Sequence, residues 1–224
     1  QTYLKKTDKG EFYFYTKPEQ KLKTYDLLKE NLPFILNKIN WNKSMKWGNN
    51  QMFWGRPLKS ILVVFDKKKI EFDFYHLKSS NYTFIDKEFE DKKKIFNNFK
   101  SYQSYFKSIK IILDQDKRKD FIINELNNLS KKNNLKINLK EDLLDEINNI
   151  VEKPKVILCT FDKKFLKIPK EILIITMQNH QKYIPTFDKK NNLTNFFLVV
   201  SDSNDLRGYI KSGNERVIEA RLND

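Results

Sequence analysis

Residues 141–161 read Glu-Asp-Leu-Leu-Asp-Glu-Ile-Asn-Asn-Ile-Val-Glu-Lys-Pro-Lys-Val-Ile-Leu-Cys-Thr-Phe, and a change of period inside this stretch sets the fold class. Leu143, Leu144, Ile147, Ile150 and Val151 recur at three- and four-residue spacing, which predicts a helix over 141–152. Asn138 and Glu141 stand at capping-box spacing before it, and Pro154, lacking a backbone N–H, forbids its continuation. From 156 to 161 the apolar residues run on without a helical period, as in a strand. A helix over 170–179 and strands over 183–187 and 196–201 follow. The change at 153–155 divides the chain into a region 1–152 and a continuation of the same module over 153–224, with no internal repeat or low-complexity linker.

Upstream, the aromatic run 12–15 between Gly10 and Pro18 predicts a strand. Leu22, Tyr25, Leu28, Leu32, Ile35, Leu36 and Ile39 form a helical stripe that Pro33 kinks or breaks into two pieces. Residues 61–65 and 70–75 read as antiparallel strands joined by the charged turn 66–69, with Ile70, Phe72 and Phe74 on one face and Glu71, Asp73 and Tyr75 on the other. A helix over 96–106 and a strand over 109–113 precede a longer helix. Asp114 or Asp116 caps that helix, Phe121, Ile122, Leu126 and Leu129 form its apolar face, and Asn133 or Asn134 ends it. Lys117, Arg118 and Lys119 read as a solvated helix end. The sum is an α+β protein with mixed, mostly antiparallel sheets and packed helices.

The formal net charge of +14 over 224 residues points to nucleic acid, because neutralising phosphates supplies most non-specific affinity. Only five of the 43 basic residues are arginine, however, and lysine, asparagine, isoleucine and phenylalanine share A/T-rich codons, so genome composition is a second source of the excess. The single cysteine, Cys159, lies inside an apolar strand and excludes an internal disulfide. No apolar run approaches the roughly 20 residues that span a bilayer, and no signal peptide opens the chain, so a soluble cytoplasmic protein is expected. A first residue Gln1 and a helical pattern that runs into Asp224 suggest a piece of a longer polypeptide.

Two histidines and one cysteine cannot furnish a zinc cluster or a Cys-His catalytic pair, and five glycines build no phosphate-cradling loop. We therefore assign no catalytic residue and no metal ligand. The motifs with chemical content are cationic and aromatic. His180, Gln181, Lys182 and Tyr183 sit at a helix-to-strand junction, where His180 and Lys182 are placed to donate to phosphates and Tyr183 to stack on a base; alternatively His180 ends the helix favourably against its dipole and Tyr183 joins the core. Arg216 and Arg221 follow Gly213 at an apparent helix start, where free amides and the dipole favour phosphate. Alternatively, Arg216 pairs with Glu219, and Arg221 packs its stem and meets a buried carboxylate. Trp41, Trp47 and Trp54 interleave with Lys43, Lys46 and Arg56, as a stacking surface does or as core tryptophans beside solvated cations do.

Taken in order, Met45-Lys-Trp-Gly48, Trp54-Gly-Arg-Pro57, His180-Gln-Lys-Tyr183 and the run from Gly213-Asn-Glu-Arg-Val217 through Ala220, Arg221 and Leu222 resemble the beta subunit of bacterial glycyl-tRNA synthetase. The likeness covers nearly the whole chain and is strongest from Asp142 onward. Two departures stand out. Asn81-Tyr-Thr-Phe84 replaces the family's Gly-His-Arg-Phe, and Leu58, Lys59 and Ser60 stand where an aromatic residue often follows Arg-Pro.

The resemblance implies a ligase complex that attaches glycine to tRNA(Gly) using ATP and Mg2+. It implies two alpha and two beta subunits, with the catalytic core in the alpha subunit and no cofactor held by this region. The region itself would bind tRNA and the alpha subunit, with Lys46, Arg56, His180, Gln181, Lys182, Arg216 and Arg221 as the tRNA contacts. It also implies a likeness to the B3/B4 domain of phenylalanyl-tRNA synthetase. Editing activity is not carried over, because no hydrolytic set is evident. A structural scaffold between subunits, with non-specific RNA affinity, is the alternative from another class, and an editing-type hydrolase a more distant one.

Overall fold

The computed structural model describes residues 2–15, 23–85 and 92–223. Pro18, Leu22 and Asp224, which the sequence reading used, lie outside them. The chain divides into two compact units, residues 1–102 and 103–224.

In the first unit, β1 (Thr2–Thr7) and β2 (Gly10–Tyr15) pair antiparallel, Tyr3 opposite Phe14 and Lys5 opposite Phe12. No residue of this ribbon is buried. Helix α1 (Thr24–Asn37) runs unbroken through Pro33, so the expected break is absent. The missing proline N–H frees only the carbonyl four residues back, at Lys29, which is exposed to water. Tyr25, Leu28, Leu32 and Leu36 of α1 pack on a core of Met52, Ile70, Phe72 and Phe74.

That core is built by tight hairpins. Strands β3 (Val64–Phe65) and β4 (Lys68–Lys69) are joined by Asp66 and Lys67, both at positive φ (45° and 62°), the pairing a two-residue turn of this hand requires. Strands β5 (Asp73–Phe74) and β6 (Leu77–Lys78) turn through Tyr75 at φ 54°. The predicted alternation holds: Ile70, Phe72 and Phe74 are buried, while Glu71, Asp73 and Tyr75 are not. Buried Ser79 ties the layers together, donating to Ile70 O (2.7 Å) and accepting from Phe72 N (2.8 Å). Strands β7 (Tyr82–Phe84) and β8 (Lys93–Ile95) form a further antiparallel pair. Helix α2 (Phe99–Ser108) begins later than predicted, at Asn98, whose side chain accepts from Ser101 N at 2.8 Å.

The second unit is a four-stranded antiparallel sheet with helices on both faces. After α3 (Gln115–Lys132) come β9 (Lys136–Ile137), α4 (Glu141–Ile150) and β10 (Lys155–Thr160). A 3-10 turn over Lys163–Lys167 and α5 (Lys170–Ile175) precede β11 (Ile184–Phe187), β12 (Leu193–Ser201) and α6 (Tyr209–Asn223). The strand order is β10-β12-β11-β9. Along the strands, side chains alternate between two cores. Cys159, Phe161, Tyr183, Phe197 and Val199 meet Leu173, Met177 and Ile218 on the α5 and α6 side. Ile184 and Leu198, with Val156 and Leu158, meet Ile122, Leu126, Leu143, Leu144 and Ile147 on the α3 and α4 side. Covered on both faces, the strands read as unbroken apolar runs, which is why 156–161 showed no alternation.

Four local expectations are corrected here. Residues 109–113 form no strand; they are a turn closing back on α2, with Ile111 N donating to Phe106 O at 2.9 Å, and an extended segment in which Ile112 N donates to Glu152 O at 2.9 Å, with no ladder partner among the described residues. Asn138 does not cap α4, whose N-cap is Lys140 without a side-chain bond. Residues 153–155 join two elements that share one core, since Val151 and Val156 pack in the same cluster. Arg118 is buried in α3 rather than solvated. Asp114 does cap α3 as expected, accepting from Asp116 N and Lys117 N at 3.1 Å.

Candidate nucleic-acid interface

Helix α6 carries Gly213 to Val217, and its true start changes their reading. It begins at Tyr209, where the Asp205 carboxylate accepts from Ile210 N (3.0 Å) and Lys211 N (2.8 Å). Gly213 is therefore inside the helix, and the amides proposed for a phosphate already hold a carboxylate. The sequence pattern misplaced the start because Gly208, at φ 73°, and Asp205 make a turn that glycine spacing alone did not reveal.

What the motif does instead is dock α6 on the end of β10. Glu215 accepts from Thr160 N at 2.9 Å and Glu219 from Asp162 N at 3.2 Å, satisfying donors where the strand ladder ends. Asn214 accepts from the Tyr183 hydroxyl at 2.7 Å and donates to Ile210 O at 2.7 Å. Both glutamates being engaged with backbone, Arg216 and Arg221 stand exposed with no ion-pair partner among the described residues. The expected pair of Arg216 with Glu219 does not form.

Tyr183 belongs to the core. Its ring stacks on Phe197 at 4.8 Å and it is buried, so it does not stack on a base. Burial, with a smaller contribution from Cys159, pushes its phenol up to about 12. Cys159, also buried, has its thiol pushed up to about 12, first by burial and then by Glu215, and is an inert core residue.

The turn before Tyr183 is unusual: α5 passes into a π turn over Thr176–His180, and Lys182 takes φ 59°. This aims Lys182 at Glu146 of α4, with which it forms an ion pair; its side chain is 35% exposed. His180 is exposed, and the half-buried Gln181 amide has no hydrogen-bond partner among the described residues. Gln181 and Lys182 line a cleft of about 270 Å³ together with Ile147, Ser201, Ile210 and Asn214. The two motifs from distant parts of the chain thus meet at one place in the second unit.

Lys46 and Arg56 lie in the first unit. A backbone bridge between Met45 and Trp54 (2.9 and 3.2 Å) sets Lys46 beside Phe53, its ammonium 4.7 Å from the ring centre and 3.3 Å from Gln51 Oε1. Arg56 is exposed. The tryptophans turn inward more than a stacking surface would. Trp47 and Trp54 pack on the core, Trp54 edge-on to Phe74, and Trp41 lies 4.9 Å from Trp54. Gly55 is required there because a Cβ would fall 2.8 Å from the Trp41 ring. The aromatic residue displayed to solvent beside Lys46 is Phe53.

Sequence reasoning missed Arg118, although its spacing of four and eight residues from Ile122 and Leu126 places it on the buried face of α3. Its Nε donates to Asn148 O and Oδ1 (3.1 and 3.0 Å) and its Nη1 to Ile112 O (2.6 Å). Next to it, Lys119 bridges Asp145 (2.6 Å) and Glu141 (3.3 Å) of α4, and Asp145 holds its ammonium above the usual lysine range. Among the described residues no three His, Cys, Asp or Glu side chains are grouped to hold a metal.

The fold and this site define an α+β chain whose most distinctive motifs build a helix-to-strand junction and leave two arginines facing solvent. The chain belongs to the glycyl-tRNA synthetase beta subunit family, whose model matches residues 1–224. It is 33% identical over 223 residues to the glycine–tRNA ligase beta subunit of Dictyoglomus thermophilum, and 36% identical over 216 residues to that of Rickettsia bellii. These alignments take in 99% and 95% of this chain but 32% of each relative, so the chain spans about a third of their length.

Proposed function

We propose that this region serves a glycine-specific ligase complex by binding tRNA(Gly) and an alpha subunit, while adenylation and transfer, with ATP and Mg2+, take place in that partner. Family membership over the full chain supports the setting. The observation that carries the RNA role is the exposure of Arg216 and Arg221: Glu215 is engaged by Thr160 N and Lys211, and Glu219 by Asp162 N just past β10, so the guanidiniums are available to an external anion. His180 and Gln181 add donors at the neighbouring turn, Lys182 joins them by exchanging its Glu146 pair for a phosphate, and Lys46 and Arg56 add cations in the first unit. Two alpha and two beta subunits, a cytoplasmic setting and a likeness to the B3/B4 domain complete the reading. No helix among the described residues is long and apolar enough to cross a membrane.

The test is binding of tRNA(Gly) and of an unrelated tRNA across a salt series, with Arg216→Gln and Arg221→Gln. Removing one phosphate-binding guanidinium should lower the salt slope by about one unit and weaken binding at low salt. Unchanged slopes with an intact fold would remove both assignments.

A specific observation favours subunit docking as well. The β1–β2 ribbon displays Tyr13 (80% exposed) and Tyr15 (68% exposed), and two strands alone are marginal in water. Replacing both tyrosines by serine should reduce assembly with the alpha subunit, read by size-exclusion chromatography, and leave RNA affinity unchanged.

A further inference from the structure

The first unit contains an aromatic groove that none of the motifs above accounts for. It measures about 370 Å³, within the range of small-ligand sites, and lies between residues 62–64, Thr83, Phe96 and the first turn of α2, where Asn98, Phe99 and Tyr102 stand. Its wall is fixed: buried Phe96 meets Tyr102 edge-on at 5.1 Å. Phe99 lies nearly parallel to Tyr102 (18°, 6.4 Å between centres) and is 70% exposed, a large ring held outward at a capped helix start.

The polar groups at this wall are small and neutral. Asn98 uses its Oδ1 on Ser101 N, while its amide nitrogen has no partner among the described residues. The Thr83 and Ser60 hydroxyls are hydrogen-bonded to each other at 3.4 Å. Among the described residues no carboxylate lines the groove. Two lysines neighbour these residues in the fold or the sequence. Lys94 falls on the same face of the β7–β8 pair as Thr83, and Lys100, next to Phe99, makes no ion pair among the described residues.

Stacking rings, a spare amide donor and the cation of Lys100 suit a ligand that is flat, hydrogen-bonding and tethered to phosphate. An apolar peptide side chain would use the rings but gain nothing from the ammonium group, whereas a nucleotide engages both. We infer that this groove receives an unpaired nucleobase of single-stranded RNA, stacked on Phe99, with Asn98 addressing the base edge and Lys100 the phosphate. The inference rests on the tRNA-binding reading and refines it: this unit engages an unpaired part of the tRNA. Asn81 to Phe84, where the family's Gly-His-Arg-Phe is replaced, supplies part of this surface through Thr83.

The experiment uses the full chain, a short labelled oligoadenylate, a blunt RNA duplex of equal length and tRNA(Gly), all at one salt concentration. The single strand should bind more tightly than the duplex. Phe99→Ala should weaken single-strand binding by roughly tenfold and leave duplex binding unchanged. Phe99→Trp should retain affinity, and its added fluorescence should be quenched by the oligonucleotide, which also reports an intact fold. Equal single-strand affinity for wild type and Phe99→Ala overturns the assignment. So does loss of alpha-subunit association in Phe99→Ala with RNA binding intact, which would make the occupant a protein. If the wild-type chain binds tRNA(Gly) but Phe99→Ala changes nothing, only the groove falls; if it binds no RNA at all, the tRNA reading itself falls.

Discussion

Arg118 and Arg216 carry the same guanidinium into opposite roles, and their surroundings explain why. Arg118 is enclosed in α3, and its bonds to Ile112 O, Asn148 O and Asn148 Oδ1 close the loop before α3 onto the end of α4. Arg118→Met keeps much of the stem but strands those acceptors, so it should lower unfolding stability by about 2 kcal/mol, read from the urea midpoint. An unchanged midpoint would mean water replaces the guanidinium without cost. Arg216, by contrast, faces solvent because Glu219 bonds Asp162 N, and Arg216→Gln should leave stability within roughly 0.5 kcal/mol of wild type. Of the two, only the exposed arginine is proposed as a ligand contact.

At the scale of elements, the family motifs prove to be joints. Glu215 serves the half-buried Thr160 N–H, so Glu215→Ala should cost about 1–3 kcal/mol by leaving that donor unmet, while Glu215→Gln keeps an acceptor and should cost much less. Equal losses in thermal melts of the two variants would show that packing, not the bond, holds α6 in place. A similar joint exists in the first unit. Gly55→Ala would push a methyl into the Trp41 ring and should destabilise by about 1 kcal/mol, with Trp41→Phe in the same chain relieving part of the loss. Much of this level was legible in advance. The helix periods of α3 and α4, the Asp114 cap and the buried face of residues 70–74 follow from local spacing. The start of α6, the cap of α4 and the missing strand at 109–113 do not: Asp205 folds back onto the first amides of α6, Lys140 precedes α4 with no side-chain cap although Asn138 has the spacing for one, and residues 109–113 find no neighbouring strand among the described residues.

For the whole molecule, charge and pH matter together. The net charge of +14 lends any RNA affinity a strong salt dependence, so specificity has to be judged from the difference between tRNAs rather than from binding itself. Tyr183 and Cys159 both stay protonated in the fold up to about 12, above their ordinary 10.0 and 9.0. Between those ordinary values and 12 the unfolded chain binds fewer protons than the folded one. Stability is therefore full below about pH 9 and falls as pH rises toward 12. Urea midpoints should decline over this window, and the decline should flatten when Tyr183→Phe and Cys159→Val are combined. A slope that persists in the double variant would assign the alkaline loss to other groups.

The amino-acid sequence by itself determined the α+β class, the longer helices, the face that residues 70–74 bury and the family, because each rests on spacing within a short window or on an ordered set of motifs. Tertiary structure decided what those motifs do. Only folding brings Tyr183 to Asn214, turns Glu215 and Glu219 onto β10, and so frees Arg216 and Arg221; only folding covers both faces of the sheet and encloses Arg118. Hydrogen bonds between residues thirty to fifty-seven positions apart leave no trace in local period or composition, which is why the cations were visible in the sequence while their availability was not.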